Sequence, residues 1–286
     1  MILVTGKTGF LGKHISIGEN ADWDLLESHR TSNEIATKKP DIIIHLAGLC
    51  GGIQFNQDNP ARLLADNVQM VINVFEAARK ANVSRVVTIG STCAYPASLC
   101  PPFKVKNYRD GYPEITNGAY GIAKRTAYDI GEAYQKQYGI EHLHIVLTNL
   151  YGPGDKFDSP DNHVIPALIA KFSKPGQVIV WGDGSAKREF LYVKDAALIV
   201  TALAQGTLTG IVNVGSGQIY TIKELVAAIQ NITGHTDGVV YDTSKPNGQM
   251  ERLLDSEYKG NTSLIDGLTQ TIEWYKNNCR TPLTTV

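Results

Sequence analysis

A tyrosine and a lysine stand four residues apart, at Tyr120 and Lys124, about thirty residues after segment 90–96, which reads GSTCAYP and contains Ser91. A spacing of four places a phenol and an ammonium group on one face of a helix. A nearby cation favours the phenolate form, so the tyrosine can exchange a proton near neutral pH. This combination predicts the reduction of a carbonyl group.

The tyrosine–lysine spacing alone carries little weight, because 13 tyrosines and 18 lysines in 286 residues would give about one such pair by chance. Two pairs occur, Tyr120 with Lys124 and Tyr241 with Lys245. The second pair is followed by Pro246, which discourages a helix and indicates a turn. We therefore predict that only the first pair is catalytic.

The composition limits the class of protein. With 286 residues, 43% of them hydrophobic, the chain can form one large α/β domain or one with a smaller lobe. A formal net charge of −1 without a basic run argues against nucleic acid or an anionic membrane as a partner. No signal-peptide pattern or long apolar span is present, so we expect a cytoplasmic protein. Four cysteines without C-x-x-C spacing predict neither disulfides nor a metal site.

Apolar runs of strand length alternate with helix-like stretches in the first half of the chain. Because the strands are apolar on both faces, this alternation predicts a doubly wound parallel sheet of the Rossmann type, covered by helices on both sides. The predicted strands are 2–5, 41–47, 85–91 and 143–150, and the main helices are 61–81 and 120–138.

The early crossovers of this sheet are short. About ten residues separate Gly12 from Trp23, and about ten separate Arg30 from Asp41. Crossovers of parallel strands usually carry full helices. We therefore predict that one of these helices is short and that the other can be absent, with the second strand at residues 23–26.

The pattern changes after residue 150 to loops rich in glycine, proline and aspartate, with shorter elements. The predicted elements are helix 164–172, strand 177–181, helix 193–205, strand 211–215 and a helix opened by a capping box at 221–224. We predict a dinucleotide-binding domain at 1–150, joined by returning segments near 190–217, and a discontinuous substrate lobe at 151–189 and 218–286.

A glycine-rich loop, GKTGFLG at residues 6–12, directly follows the first predicted strand. In such a loop the first glycine allows a tight turn, the second admits a pyrophosphate to backbone N–H groups, and the third allows close packing. The sequence therefore predicts a dinucleotide cofactor. The loop residues predicted to contact it are Gly6, Lys7, Thr8, Gly9, Phe10, Leu11 and Gly12.

The choice between NAD and NADP stays open on residues alone. Glu27 could accept a hydrogen bond from a ribose hydroxyl, whereas His29 and Arg30 could bind a 2′-phosphate. Both readings place the adenosine ribose beside the end of the second strand.

Further motifs extend over nearly the whole chain. They are HLAG at 45–48, CGGI at 50–53, GSTCAYP at 90–96, TNLYGP at 148–153, NHVIPAL at 162–168, WGDGS at 181–185, REFL at 188–191 and KPxG at 245–248. Together with the glycine loop and the tyrosine–lysine pair, they resemble the extended short-chain dehydrogenases/reductases. Within that superfamily they resemble the GDP-L-fucose synthases, the GDP-4-keto-6-deoxymannose 3,5-epimerase-4-reductases.

The resemblance implies NADP(H) as cofactor and assigns roles to single residues. Tyr120 would protonate the C4 oxygen, Lys124 would hold the cofactor ribose and lower the phenol pKa, and Ser91 would hydrogen-bond the ketone oxygen. Cys93 and His163 would exchange protons at C3 and C5. Further predicted cofactor contacts are Arg30, Leu46, Ala47, Ile89, Gly90, Ser91, Tyr120, Lys124, Leu147, Thr148, Asn149, Leu150 and His163.

The resemblance also implies a GDP-sugar substrate and a homodimer. Cations must bind the diphosphate, and the predicted substrate-binding residues are Lys171, Trp181, Arg188 and Lys245, with Arg252 a weaker candidate. Lys171 stands where the family usually has an arginine. Helices 61–81 and 120–138 would pair across a dimer interface, although both could simply cover the sheet.

Two alternatives to the epimerase-reductase remain at this stage. One is a nucleotide-sugar 4-reductase, or an NAD-dependent 4-epimerase, that lacks 3,5-epimerisation. The other is a non-catalytic NADP(H)-binding sensor that retained the fold.

Overall fold

The computed structural model describes residues 1–157, 162–245, 247 and 249–279. The described strands are β1 (Ile2–Thr5), β2 (Glu19–Ala21), β3 (Ile42–His45), β4 (Arg85–Ser91), β5 (Glu141–Leu147), β6 (Asn149–Tyr151), β7 (Val178–Trp181), β8 (Lys187–Tyr192), β9 (Gly210–Gly215), β10 (Ile219–Thr221), β11 (Val239–Asp242), β12 (Glu251–Arg252) and β13 (Tyr258–Lys259). The α-helices are α1 (Ser28–Lys38), α2 (Ile53–Asp58), α3 (Pro60–Lys80), α4 (Gly118–Tyr138), α5 (Val164–Phe172), α6 (Val193–Gln205), α7 (Ile222–Thr233) and α8 (Leu264–Asn278).

A seven-stranded sheet forms the centre, in the order β2-β1-β3-β4-β5-β9-β13, and all of its pairings are parallel. Residues such as Ile43, Ile44, Val86 and Val87 are buried on both faces, which is why these strands read as continuous apolar runs. The predicted doubly wound fold is confirmed. Relative to the common order 3-2-1-4-5-6, one strand is missing at the edge beyond β2.

The early part of the sheet differs from the prediction in two ways. The second strand is Glu19–Ala21 rather than 23–26. Trp23 and Leu25 are buried in a loop, and the Trp23 indole donates a hydrogen bond to Thr31 Oγ1 at 3.2 Å. Their apolar character reflects packing under α1 and α3, because a buried loop and a short buried strand have the same hydrophobic pattern.

The crossover helices also differ. After the glycine loop there is only a 3₁₀ turn, Gly12–His14, as the short spacing predicts. The second crossover, in contrast, carries an eleven-residue helix, α1. Helix α1 begins at Ser28, before Arg30, and has ordinary length, so of the two predicted departures only the absent helix, in the first crossover, is found.

The predicted strand 143–150 is divided into two strands that belong to different sheets. β5 ends at Leu147 in the central sheet, whereas β6 pairs with β8. At the division, the Thr148 hydroxyl and the Asn149 amide both donate to the carbonyl oxygen of Glu189, at 3.2 and 2.9 Å. This switch carries the chain from the central sheet into the second lobe.

The second lobe has its own hydrophobic core. Residues including Tyr151, Ile169, Ile229 and Leu268 pack together between small β-sheets and α5, α7 and α8. The predicted bounds of α5 and α6 are confirmed, as is the capping box in which Thr221 and Glu224 open α7. The exact division of the chain at residue 150 stays a prediction.

Three histidines are buried in the central domain, and they make stability depend on pH. Burial lowers the pKa values of His45 and His142 to about 3, and that of His144 well below its usual range. The Thr88 hydroxyl lies between His142 Nε2 and His144 Nδ1, at 2.8 and 2.7 Å. These rings are therefore held neutral inside the fold, while in the unfolded chain they take up protons below about pH 6.5.

We expect the free energy of unfolding to fall as the pH drops from about 6.5 towards 3, because the unfolded chain binds more protons in this window. His45 and His142 each account for about 2 kcal/mol of that loss at pH 5. Urea unfolding at pH 8, 7, 6 and 5 measures it. H142Q should reduce the slope between pH 7 and 5, whereas H29Q, at an exposed position, should leave it unchanged. Equal slopes in both variants would contradict the assignment.

Among the described residues, no helix has the length and apolar character that a membrane span requires, and no group of three His, Cys, Asp or Glu side chains is arranged to hold a metal ion.

Candidate active site

The predicted site residues follow four neighbouring strands of the central sheet. The glycine loop follows β1, the segment 46–50 follows β3, Ser91 ends β4, and Thr148 follows β5. The carboxyl ends of parallel strands meet at one edge of the sheet. After β2 is added on one side of β1, the chain crosses to add β3 on the other side, so a crevice forms between β1 and β3. The fold therefore places these segments around one crevice.

The glycine loop packs directly against the segment after β3. Gly6 has a φ of +70°, and a Cβ there would lie 2.6 Å from the Ala47 nitrogen. A Cβ on Gly12 would collide with the Gly6 carbonyl. Gly9, in contrast, has only the Gly6 oxygen, at 3.1 Å, near its Cβ position. The loop is thus tightly packed below and open on the side of Gly9, which suits the close approach of a pyrophosphate.

The side chain of Lys7 does not extend over this open side. Its ammonium donates to the Ile17 carbonyl at 3.0 Å and to that of Gly18. The predicted contact of Lys7 with a cofactor therefore rests on its backbone. Nearby, Ala47 N donates to Thr5 Oγ1 at 3.3 Å, so a hydrogen bond ties the segment after β3 to β1.

The residues that could select the cofactor lie side by side at the start of α1. Glu27 is the N-cap residue, and Arg30 is in the first turn with an exposed side chain. Both line an open surface depression, together with Leu26, Ser28, His29, Asn33 and Glu34. Within the described parts of the chain, Arg30 forms no ion pair, so its guanidinium is free for a ligand.

The tyrosine–lysine pair lies in the first two turns of α4. Lys124 Nζ is 5.6 Å from the centroid of the Tyr120 ring. Burial raises the pKa of Tyr120 well above its usual value, and electrostatic interactions with the nearby Cys50 and Cys93 side chains add to the increase. Burial also lowers the pKa of Lys124. The expectation of a lowered phenol pKa is not met in the free chain, because burial of the phenol disfavours its charged form.

The ammonium group of Lys124 has no hydrogen bond or ion pair with any residue that the structure describes. A cation surrounded by protein is costly unless oxygen atoms bind it. The hydroxyls of a cofactor ribose would meet that need, and the open side at Gly9 would admit the pyrophosphate. The residues present therefore fit a dinucleotide.

Cys93 lies directly against α4. The Cys93 nitrogen donates to Ser91 Oγ at 3.2 Å, which holds the turn at the end of β4. The Cys93 carbonyl faces Gly121, where a Cβ would collide with it. Because Gly121 follows Tyr120 in sequence, this close approach brings Cys93, Ser91 and Tyr120 to one place.

His163 directly precedes α5, and its side chain is accessible to solvent. Its pKa is nevertheless lowered, mainly by desolvation and then by Lys156, as expected for a group in a cleft with protein around it. The imidazole forms no hydrogen bond with the residues that the structure describes. Among those residues it is therefore a neutral ring without a hydrogen-bond partner.

The four predicted substrate residues fall into two groups. Lys171 donates to the Ile179 carbonyl at 2.7 Å, and Lys245 Nζ lies 5.5 Å from the Trp181 ring centroid, so these three gather around β7. Trp181 is 54% exposed. Residues 246 and 248 of the KPxG motif lie outside the described residues.

Arg188 belongs instead to the Cys93 side of the crevice. It donates to the carbonyls of Lys187 and Asn247, at 2.8 and 3.2 Å. Its pKa is lowered to about 10, first by burial and then by the like charge of Arg252. Two guanidinium groups therefore lie near each other in this part of the site.

Sequence reasoning missed two residues that organise the site. Asn67, on α3, accepts from Leu49 N at 2.8 Å and donates to the Leu49 carbonyl at 2.9 Å, which fixes the segment before Cys50. Arg252 was considered only as a diphosphate ligand, yet its Nη1 donates to Cys93 Sγ at 3.4 Å. No sequence signal points to that contact, since 159 positions separate the two residues.

Comparison with known proteins assigns this geometry to a family. A model described as the NAD dependent epimerase/dehydratase family matches residues 18–215. The chain belongs to this family. Its sequence is 33% identical to the GDP-L-colitose synthase of Yersinia pseudotuberculosis, over 96% of this chain and 98% of that one. It is 34% identical to the GDP-L-fucose synthase of Escherichia coli K12, over 89% of this chain and 86% of that one.

Solved structures of GDP-sugar enzymes are similar to this chain over nearly its whole length. A GDP-6-OMe-4-keto-L-xylo-heptose reductase from Campylobacter jejuni has a TM-score of 0.89 and 25% identity, covering 96% of this chain and 97% of the other. A GDP-L-fucose synthetase from Naegleria fowleri, bound to NADP, has a TM-score of 0.88 and 25% identity, covering 97% and 92%.

These relatives confirm the predicted resemblance to GDP-L-fucose synthases, the extended short-chain dehydrogenase fold and the enzyme class. The chain is an enzyme of the GDP-sugar synthase and reductase group, which sets aside the non-catalytic sensor. The predicted cofactor, NADP(H), is the one bound in the Naegleria structure. The roles of individual residues stay predictions.

Proposed function

We propose that this enzyme is an NADPH-dependent 3,5-epimerase and 4-reductase, which converts GDP-4-keto-6-deoxy-D-mannose to GDP-L-fucose or a close analogue. The observation that carries the proposal is the position of Cys93, whose backbone contacts Ser91 Oγ and Gly121, the residue after Tyr120. The Cys93 side chain also lies near enough to Tyr120 to contribute to the raised pKa of the phenol. Reduction of a ketone requires one acid and no thiol. A thiol next to that acid supplies the base that epimerisation also needs.

In the epimerisation, the Cys93 thiolate removes a proton from the carbon next to the ketone. The electron pair of that bond moves towards C4 and onto the ketone oxygen. Ser91 Oγ already accepts from Cys93 N, so its hydroxyl proton is free to bond the enolate oxygen. Tyr120 would donate a second hydrogen bond to the same oxygen.

His163 would return a proton to the opposite face. Its lowered pKa keeps the ring neutral at pH 7 in the free chain. An enolate close to the ring would favour the imidazolium, because an opposite charge raises the proton affinity of a histidine. His163, which is accessible to solvent, would therefore take up a proton from water when the intermediate forms and pass it to the carbon, while Cys93 releases the proton that it removed to solvent.

Reduction follows at C4. When bound, NADPH supplies a hydride to a carbonyl carbon. Tyr120 then donates its proton to the oxygen at C4. Its raised pKa keeps the phenol protonated at neutral pH, as an acid must be before the step. Lys124, without a partner in the described parts of the chain, would bind the ribose hydroxyls and hold the nicotinamide side of the site in place.

Arg30 is the residue that we propose to select NADPH over NADH. Its guanidinium is exposed at the surface depression beside Glu27 and has no ion pair among the residues that the structure describes. A charge-assisted hydrogen bond to a 2′-phosphate contributes about 1.5–3 kcal/mol, so R30A should weaken NADPH binding by about 10–100-fold and change NADH binding little.

Titration of R30A with both cofactors, followed by fluorescence, measures this change. R62A removes an arginine from an exposed pair with Asp66 on α3 and serves as the matched control. An unchanged ratio of NADPH to NADH affinity in R30A would assign cofactor choice to Glu27 or His29 instead.

The GDP-sugar would lie between the two groups of substrate residues. Arg188 would bind the diphosphate on the Cys93 side, and Lys171, Trp181 and Lys245 would bind the nucleotide end around β7. Lys171 keeps the charge of the family's arginine but loses its bidentate geometry. In the free chain, the Lys171 ammonium donates one hydrogen bond to the Ile179 carbonyl, and its other N–H groups could donate to the substrate.

We also propose a homodimer that forms through α3 and α4. Leu63, Val71 and Phe75 of α3 are buried against the sheet, whereas Leu64 and Ile72 are 38% and 37% exposed. Leu64, Val68 and Ile72 follow each other at intervals of four, so α3 has an outward apolar stripe that the sheet does not use. In sedimentation velocity, a single monomer peak would contradict the dimer.

A 4-reductase without epimerisation is the second candidate, since the structural relative from Campylobacter jejuni is named a reductase. Reaction of the enzyme with GDP-4-keto-6-deoxy-D-mannose and NADPH, followed by NMR of the product, distinguishes the two. The proposal requires GDP-L-fucose. A reduced sugar with the original configuration at C3 and C5 would favour the reductase.

A further inference from the structure

Arg252 is a buried arginine that contacts the proposed base. Only 7% of its surface is exposed. Its Nη1 donates to Cys93 Sγ at 3.4 Å, its Nε donates to Gln249 Oε1 at 2.8 Å, and its Nη2 lies 3.9 Å from Glu114 Oε2. All three sides of the guanidinium therefore have a partner, and the group is fixed in position.

The contact with Glu114 connects Arg252 to the helix that carries the proposed acid. Glu114 accepts from Thr116 N at 3.2 Å and from Asn117 Nδ2 at 3.3 Å. Asn117 is the N-cap residue of α4, three positions before Tyr120. Asn117 Oδ1 in turn accepts from Asn56 Nδ2 of α2 at 2.7 Å. Through these bonds, one cation is joined to both Cys93 and the start of α4.

The contact between Arg252 and Cys93 matters for the chemistry of a thiol base. A thiolate, rather than a thiol, removes a proton, and a nearby arginine favours the thiolate. A guanidinium also donates along fixed directions, which restricts the rotation of the sulfur atom. Arg188 adds a second positive charge close by. A neutral hydrogen-bond donor in the place of Arg252 would hold the sulfur but would not stabilise its charge.

We infer that Arg252 is the positioning residue for Cys93, which orients the sulfur towards the substrate and faces it with a positive charge during proton transfer. In the step that it assists, Cys93 Sγ forms an S–H bond with the proton from C3 or C5. The C–H electron pair moves towards C4 and onto the ketone oxygen. Arg252 keeps its own protons. This role rests on the proposed function, since it concerns the proton transfers of epimerisation.

The contact can be tested on the free enzyme without substrate. The rate at which iodoacetamide alkylates Cys93 is measured from pH 6 to 9, with the modified peptide quantified by mass spectrometry. In R252Q we expect the rate at pH 7.5 to fall about tenfold, because the sulfur loses the oriented cation that stabilises negative charge on it during attack. R252K, which keeps the charge, should recover most of the rate.

R62Q is the control, because Arg62 lies in an exposed pair on α3. It should react like the unchanged enzyme. If R252Q does not fold, Q249A provides the same test, since it removes the bond that orients the guanidinium and should slow alkylation of Cys93 to a smaller extent. If R252Q folds and its alkylation profile equals that of the unchanged enzyme, the inference is overturned. If R252Q does not fold, the same result in folded Q249A overturns it.

Catalysis gives the second readout and separates the two proposals. In D₂O, R252Q should lose deuterium incorporation at C3 and C5 about as much as it loses thiol reactivity, and R252K should restore both. If the unchanged enzyme incorporates no deuterium, the proposed function fails whatever the alkylation shows. If deuterium exchange is normal in both the unchanged enzyme and R252Q, and R252Q is also alkylated at the normal rate, only the role of Arg252 fails.

Discussion

Replacing Tyr120 with phenylalanine is expected to lower the rate of NADPH oxidation by about 10²–10⁴-fold, because the C4 oxygen loses its general acid. The ring remains, so its packing and its contact with Lys124 at 5.6 Å are kept. Binding of NADPH should therefore change little. The rate of absorbance loss at 340 nm with saturating substrate measures the effect.

The chain offers a matched control in its second tyrosine–lysine pair. Tyr241 lies on β11 with the Lys223 ammonium 5.7 Å from its ring, outside the crevice at the ends of β1, β3, β4 and β5. Y241F also removes one hydroxyl and should reduce substrate at the original rate. Equal losses in Y120F and Y241F, or normal turnover in Y120F, would contradict the assignment of the acid.

Replacing Cys93 with serine is expected to reduce deuterium incorporation at C3 and C5 by at least about 100-fold, because a hydroxyl is a far poorer base near neutral pH. Serine is close in size and keeps the backbone bond to Ser91 Oγ. Folding and NADPH binding should persist. NMR of the sugar after incubation in D₂O measures the loss at each carbon separately.

C100S is the control for Cys93, since Cys100 is an exposed free cysteine. It should exchange like the unchanged enzyme. H163Q should also block inversion, because no other group is proposed to supply the proton on the opposite face. Normal exchange at both carbons in C93S would mean that another residue is the base.

The sequence alone predicted the parts of the fold whose patterns are local. β1, β3, β4, α4 and α5 lie where their apolar runs and helical spacing place them. The second strand was misplaced because Trp23 and Leu25 are buried in a loop, and hydrophobicity does not separate a buried loop from a short strand. The break at Thr148 was missed because β5 and β6 form one continuous apolar run.

The candidate site shows the same limit. Ser91, Cys93, Tyr120 and Lys124 could be named because they belong to short motifs with recognisable spacing. The direction of the Tyr120 pKa could not be predicted, since it depends on desolvation by parts of the chain far away in sequence. The contact between Arg252 and Cys93 spans 159 positions, and only the tertiary structure brings the two residues together.

We propose that this enzyme inverts two carbons and then reduces a third. Incubation with GDP-4-keto-6-deoxy-D-mannose and NADPH in D₂O, followed by NMR of the product, tests this proposal. We expect a GDP-sugar reduced at C4, with deuterium and inverted configuration at both C3 and C5. A product reduced at C4 that retains protium and the original configuration at C3 and C5 would contradict the account.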